Sequence, residues 1–184
     1  MTMKKIGALL LSSALLAAGP AAAQGFAEWD ADGDGVLAQE EWDAGVASSS
    51  LFDNWDADGD GTITATEYES GLFGWFDDDG DGALSVAEWD AGVDAWYGEE
   101  AVDFDVAAWD DDGDGTITEA EFSSEFTTAG LFEDFTTEAG VETTAVEGGD
   151  AVGVAEQDFI AGLFDWFDAD DDTGIVADEA GWFG

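Results

Sequence analysis

The segment 29-WDADGDGVLAQEEW-42 crowds Asp30, Asp32, Asp34 and Glu41 into one short stretch of the chain. No basic residue lies nearby in the sequence to neutralise these carboxylates. Two like charges about 4 Å apart repel each other by about 4 kcal/mol at an effective dielectric constant near 20. An aromatic residue of a type that is usually buried stands at each end of the segment. The segment is therefore either a solvated acidic coil or a loop that receives a cation from outside.

The same pattern recurs four more times along the chain. Each copy has Asp at loop positions 1, 3 and 5, Leu or Ile at position 8 and Glu at position 12. Gly occupies position 6 in the first four copies, whereas the fifth has Thr173 there and Gly174 at position 7. The five loops, numbered here in chain order, are residues 30–41, 56–67, 77–88, 110–121 and 168–179.

This spacing suits a hard divalent cation. Calcium takes six to eight oxygen ligands at about 2.3–2.6 Å, and Asp side chains at alternate positions converge when a loop curls around the ion. Gly at position 6 permits the sharp turn that a Cβ atom would hinder. Position 7 offers its backbone carbonyl, so its side chain can vary, and Glu at position 12 is long enough to bind through both oxygens. The apolar residue at position 8 can pair with that of a second loop across a short antiparallel contact.

Apolar residues flank the loops at helical spacing. Aromatic side chains stand one and four places before four of the loops, and at loop four the same places hold Trp109 and Val106. Apolar residues also occupy positions 13 and 17 after each of the first four loops. Spacings of three and four residues put such side chains on one face of a helix. Each loop is therefore predicted to join two short amphipathic helices.

These residues resemble the EF-hand family. The motif D-x-D-x-D-G-x-[hydrophobic]-x-x-x-E matches in full four times, with the expected helical flanks. The resemblance implies an all-α fold, an array of short helices and 12-residue metal loops with only short β contacts between loops. Dockerins are the nearest rival family, but their loops typically end in Asp and lack a proper entering helix. Glu at position 12 and the aromatic entering segments favour EF-hands.

The resemblance also implies the ligands of each loop, four side-chain carboxylates and the backbone carbonyl of position 7. The implied metal ligands are Asp30, Asp32, Asp34, Val36 and Glu41 in loop one; Asp56, Asp58, Asp60, Thr62 and Glu67 in loop two; Asp77, Asp79, Asp81, Ala83 and Glu88 in loop three; Asp110, Asp112, Asp114, Thr116 and Glu121 in loop four; and Asp168, Asp170, Asp172, Gly174 and Glu179 in the weaker loop five.

The composition narrows the functions open to the chain. It has 46 acidic residues against 2 basic ones, and no His or Cys. Nucleic acids and anionic membranes repel so acidic a chain. The lack of Cys excludes disulfides and thiolate metal sites, and the lack of His leaves no imidazole base and no usual zinc site. Carboxylate catalysis remains chemically possible, but nothing beyond the metal loops argues for an enzyme.

Residues 1–23 are predicted to be a secretory signal peptide. A short basic start with Lys4 and Lys5 precedes an apolar run too short to span a bilayer, and a small-residue cleavage site follows at Ala23. Removal of this segment from the 184-residue chain leaves 161 residues that keep every acid and have no Lys, Arg, Met or Pro. We expect the mature chain to be exported, either to the periplasm or to the medium.

The loops are closely spaced. Only residues 68–76 separate loops two and three, and a helix of that length is about 13 Å long. This helix must leave one loop and enter the next, so the two loops are predicted to lie at its opposite ends and not to pair. Residues 42–55 are expected to place loops one and two in the same relation. The loops fall into an EF-hand region at 24–98 and a second at 99–184.

Close spacing and export together resemble the lanmodulin family, exported EF-hand proteins that bind lanthanides. Lanmodulin loops carry Pro at position 2 and an acid at position 9. The loops of this chain carry Ala or Asp at position 2, and the four full loops carry Ala, Thr or Ser at position 9. Lanthanide binding is therefore kept as the alternative to calcium binding.

Two degenerate segments lie in the second region. The motif GLFxWFD, found before loop three, returns before loop five, and this alignment sets residues 147–158 against loop two with Val154 at position 8. A different match makes residues 136–147 the rival remnant. Either could be a silent partner of loop five, and we expect neither to bind calcium. Linkers are expected around 98–101 and 136–150.

Metal binding is expected to drive folding. Without a cation nothing offsets the repulsion, and Gly45, Gly71, Gly92 and Gly162 are expected to weaken their helices by about 1 kcal/mol each relative to Ala. The metal-free mature chain is therefore predicted to be largely unfolded or molten, because binding free energy is also folding free energy in such a system. The predicted function is calcium binding, with about four to five ions per chain, for buffering, storage or a calcium response.

The tryptophans that precede loops one, two and four are interpreted as core residues rather than as a surface for a protein partner.

Overall fold

A computed structural model describes residues 25–97, 104–146, 152–168 and 172–176. The predicted signal peptide, the first expected linker and part of the second lie outside the described residues, as do the predicted ligands Asp170 and Glu179. No helix within the described ranges is long and apolar enough to cross a membrane.

Short helices alternate with three-residue or four-residue strands along the chain. The helices are α1 Phe26–Trp29, α2 Gln39–Ser49, α3 Leu51–Trp55, α4 Ala65–Phe76, α5 Val86–Tyr97, α6 Val106–Trp109, α7 Glu119–Ala129, α8 Leu131–Glu138 and α9 Glu156–Phe167. The strands are β1 Val36–Ala38, β2 Thr62–Thr64, β3 Ala83–Ser85, β4 Thr116–Thr118, β5 Thr143–Ala145, β6 Val152–Ala155 and β7 Gly174–Val176.

Each of the first four loops lies between two helices, as the flanking pattern predicts. The Asp at position 1 ends the entering helix, and its backbone N–H donates to the carbonyl four residues earlier, as Asp56 does to Phe52 at 2.8 Å. Positions 7 to 9 form the strand, and the exiting helix begins directly after it. In loops two and four the residue at position 9 is the N-cap of that helix, because the hydroxyl of Thr64 or Thr118 accepts the N–H of the Glu at position 12.

The loops pair through the apolar residue at position 8. Within the described residues, three antiparallel strand pairs have two position-8 residues as their central partners, and all of these are fully buried: Leu37 with Ile175, Ile63 with Val154, and Leu84 with Ile117. Loop one therefore pairs with loop five, and loop three with loop four. The position-8 contact predicted from the sequence is confirmed. Each pair joins a strand of the region 24–98 to a strand of the region 99–184. The division of the loops into these two regions therefore stays a prediction from the sequence.

The fold is not strictly all-α, which corrects the fold class expected from the resemblance. One sheet has three strands in the order β2, β6, β5, and two of these strands belong to the degenerate segments rather than to metal loops. Thr143, at position 8 of the rival remnant 136–147, pairs with Val154 on the side of β6 that faces away from β2. Both remnants therefore form strands, and these two strands lie side by side next to the strand of loop two.

The expected pairing of a remnant with loop five is wrong. The strand β6 pairs with β2 of loop two, and loop five pairs with loop one. The physical reason is the helix α9, twelve residues long, which leaves β6 at one end and enters loop five at the other. The two strands at its ends are separated by the helix length, about 18 Å at 1.5 Å per residue, so they cannot lie in one sheet.

Helix α4 is shared by loops two and three, as predicted. It begins at Ala65, directly after the strand of loop two, and Asp77 of loop three is its C-cap. The connection between loops one and two differs from the expectation of one shared helix. Ser50, with φ of 58°, separates α2 from α3, so two helices meet there at a left-handed residue.

The core is aromatic and continuous through the described residues. Trp29, Trp55 and Trp109, which precede loops one, two and four, are each at most 6 % exposed, so their interpretation as core residues is confirmed. Tyr68 lies at the centre of the core, where its ring stacks on Phe135 with a centroid distance of 4.9 Å. Its hydroxyl accepts the indole N–H of Trp96 at 3.3 Å. Burial raises the pKa of Tyr68 well above its usual value.

Three helix glycines are contact points of this core, not only weak places in helices. The aromatic residue that ends an entering helix lies directly on the glycine at position 16 of the same loop. A methyl group on any of these glycines would overlap the ring. The pairs are Trp29 on Gly45, Trp55 on Gly71 and Phe76 on Gly92. Gly162 has a similar role in α9, where a methyl group would meet Val141. A low helix propensity therefore does not describe the whole role of these glycines, because they also make room for neighbouring side chains.

The glycine contact can be tested within one helix. We expect Gly71→Ala to destabilise the calcium-saturated protein by about 1–3 kcal/mol, because the overlap with Trp55 exceeds the gain in helix propensity. Gly74→Ala is the matched control in α4, since a Cβ atom there meets nothing within 4 Å. It should stabilise by up to about 1 kcal/mol. The measurement is chemical denaturation, and equal stabilisation by both changes would contradict the assigned contact.

The remnant strand can be tested in the same way. Val154 is fully buried against Ile63, whereas Val152 on the same strand is 47 % exposed. We expect Val154→Ala to lower the free energy of unfolding in saturating calcium by about 1–3 kcal/mol. Val152→Ala should change it by less than about 0.5 kcal/mol. If the two variants were equally stable, β6 would not be a structural partner of loop two.

Candidate metal centres

Carboxylate oxygens converge in each of the first four loops. In every loop three of the predicted ligands place one oxygen each within 4.8 Å of the others. The groups are Asp30, Asp32 and Glu41; Asp56, Asp58 and Glu67; Asp77, Asp79 and Asp81; and Asp110, Asp112 and Glu121. The remaining predicted side-chain ligands, Asp34, Asp60, Glu88 and Asp114, belong to the same loops but lie outside these closest groups.

The Asp at position 1 organises the loop through backbone donors. In loop one, Asp30 Oδ1 accepts the N–H of Gly33 at 2.8 Å, and Oδ2 accepts the N–H of Gly35 at 2.9 Å. These donors point at the carboxylate because Gly33 and Gly35 have positive φ, 73° and 88°. The same bonds recur in loops two, three and four. A residue with a Cβ atom is strained at such angles, which explains the glycine at position 6.

The Glu at position 12 closes the loop from its far end. Glu41 Oε1 accepts the N–H of Ala31 at 2.9 Å, and Oε2 accepts the N–H of Ala38 at 3.1 Å. One side chain in the first turn of α2 therefore holds the beginning and the end of loop one together. Loops two and four have the same pair of bonds. The length of Glu is needed here, because the acceptor must cross from the exiting helix to loop position 2.

Two of these carboxylates, Glu121 and Asp58, have pKa values that are shifted in opposite directions. The backbone N–H and the hydroxyl of Thr118 lower the pKa of Glu121. Removal from water, together with the neighbouring charges of Asp60, Glu67 and Asp56, raises the pKa of Asp58. The two directions follow from the geometry, since Glu121 accepts several donors while Asp58 faces other carboxylates. A cation bound in either loop would stabilise the ionised form of the carboxylates around it.

Loop five keeps part of this arrangement. Asp168 is only 4 % exposed, and its Oδ1 and Oδ2 accept the N–H groups of Asp172 at 3.2 Å and Thr173 at 3.0 Å. Asp172 Oδ1 accepts the N–H of Gly174 at 3.1 Å. In loop one, the backbone N–H groups of positions 5, 6 and 7 make the same three bonds. Thr173 has φ of 77°, so a β-branched residue stands where the other loops have glycine.

Gly174 at position 7 also has a packing role. A Cβ atom on Gly174 would overlap the side chain of Val36 in the paired strand of loop one. The displaced glycine of loop five is therefore explained by its neighbour across the strand pair. Since β1 and β7 lie in contact only in the folded chain, the sequence of loop five alone could not reveal this.

The donor set fits a hard cation such as calcium. Each of the first four loops offers four carboxylates and the carbonyl of position 7, all oxygen donors of the kind that calcium prefers. Carboxylate oxygens that are held within 4.8 Å of one another repel, and a bound divalent cation would turn this repulsion into attraction. The chain has no His or Cys, the donors that zinc prefers.

Comparison with protein families agrees with this geometry. The sequence model of the family described as EF hand matches residues 49–73, 70–93 and 108–127, which contain loops two, three and four. These three segments are EF-hand repeats. No curated protein and no solved structure matches it. Loop one lies outside the matched residues but has the same hydrogen bonds as the matched loops. Loop one therefore has the same loop geometry as the matched repeats.

Threonine at position 7 has a role that the EF-hand resemblance does not predict. The resemblance implies only a backbone carbonyl for Thr62, yet its hydroxyl donates to Asp60 Oδ1 at 2.6 Å. Thr116 and Asp114 have the same bond in loop four, at 2.7 Å. The signal was available, since Asp-x-Thr brings a hydroxyl within reach of a carboxylate two residues earlier.

The strain at Thr173 gives a reciprocal prediction. We expect Thr173→Gly to stabilise the calcium-saturated protein by about 1 kcal/mol, because glycine adopts positive φ without strain. Gly115→Thr, at the same position of loop four, should destabilise by a similar amount, since a Cβ atom there meets nothing and only backbone strain acts. Chemical denaturation measures both changes. Two shifts of the same sign would show that backbone strain does not decide this position.

Proposed function

We propose that this EF-hand protein is an exported calcium-binding protein that takes up four to five ions per chain and folds as it binds them. The observation that carries the proposal is the convergence of carboxylates in four loops of a chain that has 46 acidic residues and 2 basic ones. Export rests on residues 1–23, whose basic start, apolar run and small-residue cleavage site are typical of a secretory signal.

Folding on binding follows from the charge. After removal of residues 1–23, the chain has 46 carboxylates and no basic side chain. Backbone N–H groups hold the loop carboxylates in place, but they supply no net positive charge. Five calcium ions would add ten positive charges and leave a side-chain charge near −36. The ions therefore relieve the repulsion where it is greatest, inside the loops, and the stability of the fold becomes linked to the calcium concentration.

The features of this chain fit calcium buffering or storage better than they fit a calcium sensor that binds target proteins in an apolar groove. Sensor EF-hand proteins expose a Met-rich apolar groove when calcium binds, and the chain after residue 23 has no Met. Within the described residues the only large apolar side chains that are substantially exposed are Val86 and Val152. The other large apolar side chains of the described residues lie in the core or pack against it. We infer a metal-binding role in which neither a nucleic acid nor an anionic membrane is a partner.

Lanthanide binding is the second candidate. Loops two and three share helix α4, and such close spacing of the loops resembles that of lanmodulins. The residues at position 9 argue against a dedicated lanthanide site. Ala38, Thr64, Ser85 and Thr118 bring no carboxylate there. A trivalent ion gains more than calcium from each added negative ligand. We propose calcium as the physiological ion on this ground.

The proposal is tested by comparing two sets of four Glu→Gln changes. The first set removes the position-12 carboxylates Glu41, Glu67, Glu88 and Glu121. The control set removes as much charge from exposed residues outside the loops, Glu28, Glu133, Glu142 and Glu156. Each protein is expressed with residues 1–23 and purified as the host processes it. The metal is removed with a chelator, and helix content is followed by circular dichroism as calcium is added.

We expect calcium to restore helix to the unchanged protein and to the control set, and to fail with the position-12 set at the same concentrations. If the control set failed equally, general charge rather than the loops would govern folding. If all three proteins kept full helix without metal, metal-driven folding would be wrong. Lanthanum is added to fresh samples, and folding by lanthanum alone would favour the lanthanide alternative. The intact mass shows whether cleavage occurs after Ala23.

A further inference from the structure

The four full loops fall into two classes at position 7. Loops two and four have threonine there, Thr62 and Thr116, whereas loops one and three have Val36 and Ala83. In the threonine class the hydroxyl donates to the carboxylate at position 5, with the oxygens 2.6 Å apart in loop two and 2.7 Å apart in loop four. Hydrogen bonds to a carboxylate at such distances are among the strong ones. The other class has no hydroxyl that could make this bond.

The backbone bond to the same carboxylate is common to all four loops. Oδ1 of the Asp at position 5 accepts the N–H of position 7 at 2.9 Å in loops one, two and four and at 3.0 Å in loop three. The position of this carboxylate is therefore set by the backbone in both classes. The hydroxyl adds a second donor to an oxygen that already faces the loop backbone. In the described part of the chain, both of these bonds end on Oδ1, so Oδ2 of Asp60 and of Asp114 stays available to an ion.

The second donor restricts the side chain before a metal arrives. An Asp held by one bond can rotate about its side-chain torsions, and binding must arrest that motion at a cost in entropy. Two donors on one oxygen arrest it in advance. The donor itself is well anchored, because Thr116 lies in β4 and pairs with Ser85 of β3. A ligand supported from a strand is held more accurately than one supported from a loop.

We propose that Thr62 and Thr116 are positioning residues that make loops two and four the tighter calcium sites of the chain. They act through Asp60 and Asp114 and do not themselves contact the ion through the hydroxyl. The inference rests on the proposed calcium-binding function and adds a ranking of the sites to it. Loops three and four give the best comparison, because they share one sheet and both have a hydroxyl at position 9, on Ser85 and Thr118.

Three substitutions in this pair of loops test the ranking. Thr116→Val removes the hydroxyl and keeps the β-branched shape that suits a strand. Thr116→Ser keeps the hydroxyl. Ala83→Thr introduces the hydroxyl into loop three. Calcium is titrated into each metal-free, isotope-labelled protein in the presence of a competing chelator, and the backbone amide signals of Gly82 and Gly115 report the filling of loops three and four separately by NMR.

We expect loop four to fill before loop three in the unchanged protein. Thr116→Val should weaken calcium binding at loop four about three- to tenfold, as loss of one hydrogen bond to a charged group implies. Thr116→Ser should bind at loop four within about twofold of the unchanged protein, since the donor remains. Ala83→Thr should strengthen loop three by a factor similar to the loss in Thr116→Val. A purely structural effect of the methyl or hydroxyl group would move both reporter signals together.

Two results would overturn the ranking. One is equal affinity of loop four in the valine, serine and unchanged proteins. The other is weaker binding at loop three after Ala83→Thr, which would show that the hydroxyl competes with the ion for the carboxylate. Failure of the proposed function looks different, because Gly82 and Gly115 would then not respond to calcium in any of the four proteins.

Discussion

Repulsion between carboxylates that have no basic partner is the constraint on which the rest of this structure depends. Inside each loop the carboxylates are held by uncharged donors, mainly backbone N–H groups and a few hydroxyls. Asp at position 1 takes up donors from positions 4 to 6, and Glu at position 12 takes up donors from both ends of the loop. These bonds order the carboxylates around a common centre without cancelling their charge, which leaves a cation as the missing component.

The loops are joined into one body by two kinds of connection. Antiparallel strands join loops one and five, loops three and four, and loop two with the remnant strand β6. Helices α4 and α9 join members of different pairs end to end. The order in space is therefore loop one, loop five, the remnant, loop two, loop three, loop four, which differs from the order in sequence. A remnant without the full set of acids keeps its place because it supplies the strand that loop two needs.

Aromatic packing connects these elements below the loops. The residue before each loop is buried, and in three loops its ring lies on the position-16 glycine of the exiting helix. Indole N–H groups join more distant elements, since Trp42 donates to the carbonyl of Ile160 at 2.9 Å and Trp166 to that of Trp96 at 2.9 Å. Entering and exiting helices can approach closely because glycine has no side chain. The large number of tryptophans and the glycines in helices are thus parts of one packing arrangement.

The sequence by itself determined the local units of this protein. Asp at alternate positions, Gly at position 6, Glu at position 12 and apolar residues at helical spacing act within about twenty residues. Loops, helices, buried aromatics and the shared helix α4 could therefore be predicted. The tertiary structure alone decided which loops pair, that both remnants form strands beside loop two, and that Ser50 divides α2 from α3. It also decided the roles of Gly71 against Trp55 and of Gly174 against Val36. The physical reason is that these contacts join residues that are distant in sequence or depend on the close approach of two helices. No local sequence pattern specifies which strand or side chain will be the partner in such a contact.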